Sequence, residues 1–356
     1  MKSLTTARLS TLPARSKVCL GIDLSTKSWH VTARCAGETV FAASMPPSVS
    51  SIGSLLAPLR GRKVASVYEA GPFGFGLHDW LCGRGVESMI VAPSLVPSQA
   101  ANRVKTDRRD SLKLATTLEA GLLRPIYVPD AEHRGYRELV RQRLRLQKCR
   151  RASMQRIKSF FLTYGLTIPV RPHWGEAFDT WLLQLSLEDP YLQKTLVTAR
   201  DLYRDLDRRL HALDKDLRCL ARIKAFAPSV KLLTSAPGIG TITALIISVE
   251  VVDWSRFADG EAFSAYVGLT PSQYSSGDMV HFGRITRMGN AILRSLLVES
   301  SWSLIRKDPG MKAFFERLRI RRGSKRAIVA VARKLCHRLV LMTHRKEPYR
   351  IDSVKA

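Results

Sequence analysis

Two aspartates stand three residues apart in "KTDRRDSLKLA" (residues 105–115), inside a run of bases. On a helix, positions i and i+3 share a face, so Asp107 and Asp110 can act together. Asp23 sits where the apolar run of "LGIDLS" ends, and Glu69 closes "ASVYEA" in the same way. Four carboxylates from two strands and one helix can converge on a pair of magnesium ions. Mg²⁺ favours oxygen ligands and keeps waters and substrate phosphate in its shell. Two such ions clamp the attacking and leaving oxygens of a phosphoryl transfer. Lys105, Arg108 and Arg109 then fit as phosphate contacts beside the metals. Plainer roles stand beside this one. Asp23 can be a turn residue, Glu69 a surface residue, and Asp107 the cap of a helix that starts at "TD".

These acids need a sheet and a helix to hold them. "VCLGI" is an apolar run and "WHVTARC" alternates, which predicts two strands around a turn. "ETVFAASM", "VASVYEAG" and "ESMIVAPS" read as further strands, and "GLHDWLCGRG" as a helix that ends in glycine. Three strands in a row, then alternating helix and strand, make an α/β domain with a mixed sheet over residues 17–130. A basic arm (1–16) precedes it. That arm has no apolar core of signal-peptide type and reads equally as a transit-like or a disordered segment.

From residue 131 the pattern turns helical. Residues 133–158 hold ten Lys/Arg and one acid. Leu192, Leu196, Ala199, Tyr203, Leu206, Leu210, Leu213, Leu217 and Leu220 alternate spacings of four and three. Such an a/d seam predicts a coiled coil with a partner helix, the other reading being a long helix packed on its own domain. This region spans 131–228, and a further domain spans 229–346 before a tail at 347–356. "SAPGIGTITALIISV" resembles a helix-hairpin-helix, whose turn amides can meet phosphates. Residues 315–346 hold eleven Lys/Arg and one acid and read as an amphipathic basic helix or pair.

The whole chain has 356 residues with 57 Lys and Arg against 30 Asp and Glu, a formal net charge of +27. That excess argues for a polyanionic partner, with nucleic acid first. No apolar run approaches the ~18 residues that a membrane-spanning helix needs. The six cysteines are scattered, which argues against a zinc site and for buried thiols in a reducing cytoplasm.

The order "GIDLSTKSWHV", "YEAG", "KTDRRDSLKLA" resembles the DEDD transposases of a large class of bacterial insertion sequences, to which the pilin-gene invertases belong. The resemblance implies an RNase H-like domain of the RuvC kind, with the tetrad on Asp23, Glu69, Asp107 and Asp110. "YVGLTPSQYSSGDMVHFGRITRMGNAILRSLLVESSW" (266–302) is similar to that family's C-terminal transposase domain. It implies a serine nucleophile on Ser276, directly before glycine, with Ser275 next door left open. Taken alone, "SSGD" is first of all a turn. Arg284, Arg287, Asn290 and Arg294 follow at near-helical spacing, to hold phosphates or to cap and solvate a helix.

The function implied is recombination of donor and target DNA through a 5'-phosphoserine link. Mg²⁺, two ions per composite site in the family's pattern, would assist, and an element-encoded bridge RNA would guide. The coiled coil would make a dimer, growing to a tetramer on DNA, in the bacterial cytoplasm at the nucleoid. Two rivals remain at this point: a metal-only nuclease of the junction-resolvase kind, and a non-catalytic nucleic-acid-binding protein.

Overall fold

A computed structural model describes residues 7–97, 106–168, 174–276 and 279–351. The chain divides into two compact units, the first ending at Val128 and the second beginning at Pro129.

The first unit opens with a short helix, α1 (Ala7–Ser10), followed by strands β1 (Lys17–Leu24), β2 (Trp29–Cys35) and β3 (Glu38–Met45). Then come α2 (Val49–Leu56), β4 (Lys63–Glu69), α3 (Gly76–Cys82), β5 (Glu87–Val91) and α4 (Asp107–Glu119). The five strands form one sheet in the order β3-β2-β1-β4-β5. β1, β2 and β3 pair antiparallel, while β4 runs parallel to β1 and β5 parallel to β4. The reason lies in the connections. Short turns link the first three strands, whereas α2 and α3 carry the chain back for the parallel pairs. One face of the sheet buries Leu20, Ile22 and Ile90 against Ile52 and Leu55 of α2 and Leu81 of α3. The other face buries Val67 and Val91 with Leu114 of α4.

The N-terminal segment departs from the loose arm expected of it from Ala7 onward. Leu9 is fully buried in the first core, and Arg62 Nε donates to the Leu12 carbonyl at 3.2 Å.

The second unit contains helices α5 (Ala131–Thr163), α6 (Glu176–Gln184), α7 (Pro190–Leu220), α8 (Ala227–Leu233), α9 (Thr241–Val251) and α10 (Gly260–Tyr266). A two-stranded ribbon follows, β6 (Pro271–Ser276) and β7 (Met279–Ile285), then α11 (Ala291–Lys307), α12 (Pro309–Arg322) and α13 (Ser324–Arg345). Asp130, Asp189, Asn290 and Asp308 cap four of these helices with side-chain oxygens, and prolines follow two of the caps directly. Both devices satisfy or remove otherwise orphaned first-turn N–H groups.

The seam on α7 finds its partner within the same chain. Leu196, Tyr203, Leu210 and Leu217, one per heptad, are buried. Arg143 Nε bonds Asp214 at 2.8 Å and Arg150 Nε bonds Asp207 at 2.5 Å, so α5 and α7 run antiparallel. The expected partner helix is therefore α5, and the reading of a long helix packed on its own domain describes this seam. The arginines that the sequence offered to solvent are partly spent on that packing.

The 237–240 turn does join two helices. Its Gly238 (φ +89°) lies so close to α11 that a Cβ would stand 2.4 Å from the Ser300 carbonyl oxygen, so this glycine serves close packing. The basic C-terminal stretch forms a helix pair, and α13 buries Ile328, Val331, Leu335 and Leu339. The expected tail is anchored at Tyr349, whose hydroxyl donates to the buried Asp308 carboxylate at 2.7 Å. Among the described residues no helix is long and apolar enough to cross a membrane. Cys19, Cys35 and Cys336 are buried as expected, but Cys82, Cys149 and Cys219 are exposed.

Candidate active site

In the first unit the seat of α4 decides where its acids lie. Gly21 of β1 lies directly beneath it. A Cβ there would stand 2.1 Å from the Ser111 carbonyl oxygen and 2.4 Å from the Ala115 nitrogen. Helix and strand thus meet backbone to backbone, a contact that only glycine permits. The Ser111 hydroxyl is buried between His30 Nδ1 at 2.7 Å and Thr32 Oγ1 at 2.8 Å. At the other end of the helix, Glu119 takes Arg34 Nε at 2.7 Å and the Gly37 amide at 2.9 Å.

These anchors give α4 a direction. His30 pairs with Asp23 near the end of β1, while Arg34 pairs with Cys19 near its start. The helix therefore runs antiparallel to β1, and its N-terminus lies at the carboxyl end of that strand. Asp107 and Asp110 occupy this first turn.

Asp23 and Glu69 come to the same place by the pleat, since alternate residues return to one face. Gly21 faces α4, so Asp23, two residues on, does as well. Val67 packs with Leu114 on that face, so Glu69, two residues on, returns to it at the end of β4. The carboxyl ends of adjacent parallel strands are where open α/β sheets place their ligand sites.

Thr106 caps α4 by accepting from the Arg109 amide, so Asp107 is the first residue of the helix rather than its cap. Carboxylates in a first turn also favour the positive end of the helix dipole, a structural benefit alongside any other role. Arg108 and Arg109 are exposed on the same turn, whereas Lys105 lies outside the described residues. Burial, helped by the nearby Arg108, holds the His30 imidazole below its usual pKa against the pull of Asp107. His30 is thus neutral at pH 7 and serves as a hydrogen-bonding partner of α4.

All four acids offer oxygen donors, which suits a hard divalent cation. Asp23 and Asp110 are half-buried, and Glu69 and Asp107 are exposed. Among the described residues, however, no group of three or more His, Cys, Asp or Glu side chains is gathered closely enough to hold a metal ion. The fit is one of donor chemistry and of placement at one end of the sheet.

In the second unit Ser276 is the last residue of β6, in register with Met279, and Ser275 is in register with Val280. Tyr274 pairs with His281, the nearest histidine along the chain. The residues that follow do not form the single helix their spacing suggested. Arg284 lies in β7, and Arg287 has φ +57° in a loop. Asn290 is the cap of α11, and only Arg294 lies within that helix. Arg284 and Arg287 are exposed. Arg294 Nη1 instead donates to the Val267 carbonyl at 2.8 Å and the Arg287 carbonyl at 3.2 Å, which bind this loop together.

Sequence reasoning missed Glu250. This residue of α9 is 1% exposed. Arg141 approaches it with Nε at 2.8 Å and Nη2 at 3.0 Å, and Asn290 Nδ2 donates to it at 2.9 Å. Arg137 Nη2 donates to its backbone carbonyl at 2.9 Å. The cluster ties α5 and α9 to the cap of the helix that follows the ribbon. The available signal was one acid inside the apolar run "ALIISVEVV"; a charge so placed is paired or very costly.

A family profile described as transposase of the IS116/IS110/IS902 family matches residues 230–316, and a DEDD transposase profile of the IS110 type matches 20–165. The putative transposase y4pF/y4sB of Sinorhizobium fredii is 30% identical over 275 residues, covering 73% of this chain and 68% of its own. The chain belongs to this transposase family. Another relative, the putative transposase y4qE of Sinorhizobium fredii, is 33% identical over 236 residues, 66% of this chain. That match spans little more than half of y4qE, 57% of its length. The transposase for insertion sequence element IS1111A of Coxiella burnetii is 28% identical over 293 residues, 77% of each chain. The protein is thus an insertion-sequence transposase, an enzyme acting on DNA. In this transposase the DEDD profile spans all four acids, and the second profile spans the ribbon with Ser276.

Proposed function

We propose that this transposase cuts and rejoins DNA strands through a covalent phosphoserine link at Ser276, with Asp23, Glu69, Asp107 and Asp110 holding magnesium. The seat of α4 carries this reading: backbone contact at Gly21 sets the helix N-terminus against the strand ends that bear Asp23 and Glu69. Two Mg²⁺ ions on such an all-oxygen set would supply charge stabilisation at the reacting phosphate. Arg108 and Arg109, exposed on the same turn, would hold neighbouring phosphates. The strand order β3-β2-β1-β4-β5, with Asp23 near the end of β1 and Glu69 at the end of β4, supports an RNase H-like fold of the RuvC kind.

The covalent step balances without an added co-reactant. The Ser276 oxygen bonds to phosphorus as the bond from phosphorus to the 3' oxygen breaks, and the serine proton ends on that oxygen. Attack by a different 3' hydroxyl then restores a phosphodiester and returns the proton to serine. One ester replaces another at each stage, so rejoining needs no external energy.

Sequence choice in this reading belongs to an element-encoded bridge RNA that pairs with donor and target DNA, as in other RNA-guided systems. The +27 charge and the exposed Arg145, Lys148, Arg151 and Arg156 of α5 suit backbone contact with such nucleic acids. Copies of the chain would assemble as a dimer and then a tetramer on DNA. The division into an acid-bearing domain (17–130), a helical region (131–228) and a serine-bearing domain (229–346) belongs to the same proposal.

The test is a denaturing gel of protein incubated with magnesium and DNA that carries the element's ends, followed by mass spectrometry of any protein-linked strand. The adduct maps to Ser276, survives in Ser275→Ala, and disappears in Ser276→Ala and Asp107→Asn. Normal recombination by Ser276→Ala would sink the serine mechanism. Cut strands without an adduct would turn the reading to a metal-only nuclease.

A further inference from the structure

The ribbon of β6 and β7 exposes an aromatic ring on each of its faces. Tyr274 is 74% exposed and Phe282 67%. Tyr274 pairs with His281, and Phe282 pairs with Gln273, the next position along the ribbon. Neighbouring positions on a strand point to opposite faces, so the two rings point to opposite sides. A ribbon that leaned on its own core would hide one of them; here both stand in water.

Its root is firm by contrast. The Thr286 amide bonds the Thr270 carbonyl at 2.9 Å, and the Ser272 hydroxyl bonds the Arg284 carbonyl at 3.1 Å. Asn290, just beyond, is held by the buried Glu250. Arg284 and Arg287 are exposed at this root. A rigidly rooted, basic ribbon thus presents rings on both sides.

This combination selects its partner. A protein interface wants contiguous apolar area with few charges at its centre. Two rings facing opposite ways offer no such contiguous area. A two-stranded ribbon fits the major groove. Exposed rings stack on bases with little regard to sequence, apolar wedges open base steps, and arginines hold phosphates.

We propose that the ribbon is a DNA wedge, in which Tyr274 and Phe282 stack on bases unpaired beside the strand to be cut and Arg284 and Arg287 hold the flanking phosphates. This rests on the reading of Ser276, two positions beyond Tyr274, as the nucleophile. It adds that the strand is presented to the serine locally unstacked.

The experiment uses the full chain and two DNAs, a paired duplex and the same duplex with a short bubble containing 2-aminopurine. Wild type quenches the 2-aminopurine and binds the bubble about tenfold more tightly than the duplex, the size of one base stacked on a ring. Tyr274→Ala combined with Phe282→Ala loses both the quenching and the preference. Tyr274→Phe combined with Phe282→Tyr keeps both. Arg284→Ala with Arg287→Ala weakens both DNAs alike and lowers the salt slope by about two. Quenching and bubble preference that persist in the double alanine variant would overturn the wedge. So would wild type that treats both DNAs alike, even if it forms the Ser276 adduct. Quenching by wild type without any adduct would leave the wedge standing and remove the serine.

Discussion

Gly21→Ala tests the seat of α4 with a single methyl group. The new Cβ would stand 2.1 Å from the Ser111 carbonyl oxygen and 2.4 Å from the Ala115 nitrogen. Both atoms are backbone, so no rotamer change relieves the clash. The helix must retreat by about 1.3 Å to reach ordinary contact at 3.4 Å. Overpacking of this kind costs about 1–3 kcal/mol, and the upper end applies because a whole helix has to move. The bonds from Ser111 to His30 and Thr32 stretch beyond hydrogen-bonding distance, at about 1 kcal/mol each. A total of about 5 kcal/mol corresponds to a fall of roughly 15 °C or more in the melting temperature of a unit this size. The assay is thermal unfolding followed by circular dichroism, run beside a transposition assay. Activity should fall further than the folded fraction at the assay temperature, because the retreat carries Asp107 and Asp110 away from Asp23. Ala115→Gly in the same chain should not rescue it, since the blocking atoms remain. Wild-type melting together with wild-type activity in Gly21→Ala would refute the packing and the site built on it.

Glu250→Ala leaves the largely buried Arg137 and the half-buried Arg141 without their carboxylate and should destabilise the second unit by about 3 kcal/mol, the low end for a broken buried pair because Arg141 keeps access to water, read by urea denaturation; Glu250→Gln should recover only part of this. Maleimide on the folded protein should label Cys82, Cys149 and Cys219 while sparing Cys19, Cys35 and Cys336, with all six labelled in urea, as counted by mass spectrometry. Burial pushes the Cys336 thiol up to about 12, against 9.0 for a free one. The unfolded chain thus releases this proton first, and stability should fall as pH climbs from about 9 towards 12 in urea titrations. Arg151→Ala with Arg156→Ala should flatten the salt dependence of nucleic-acid binding by about two in slope without lowering the melting temperature. Arg143→Ala should do the reverse, because Arg143 is engaged by Asp214.

The parts legible in sequence were those that depend on local pattern. Apolar runs ending in Asp23 and Glu69 located two strand ends, and the heptad spacing of α7 located a helix. What α7 packs against was not legible, because its partners Arg143 and Arg150 lie more than fifty residues upstream and look like solvent charges. The spacing of Arg284, Arg287 and Arg294 misled for a related reason. Helical periodicity says nothing of a strand end, a left-handed residue at Arg287 and a cap at Asn290 placed between them. The glycine in "LGID" gave no hint that it was the floor of a helix, since that contact depends on a segment ninety residues away. Leu9 shows the same limit at small scale: it and Leu12 tether a basic stretch to the core, together with Arg62, which lies fifty residues away in the sequence.

Helix α5 belongs to two cores at once. Val140 belongs to a core cluster with residues of α9, α11 and α13, and Ile157 and Phe161 pack with Phe178, Leu182 and Tyr203 in a separate cluster. The rise of a helix puts roughly 30 Å between these attachments. The helix is unbroken between them, and the ion pairs to α7 brace it along the way. It is therefore a boom clamped at both ends. The same unbroken helix that is held at the aromatic end also carries Arg141, which reaches Glu250 and through it the cap at Asn290.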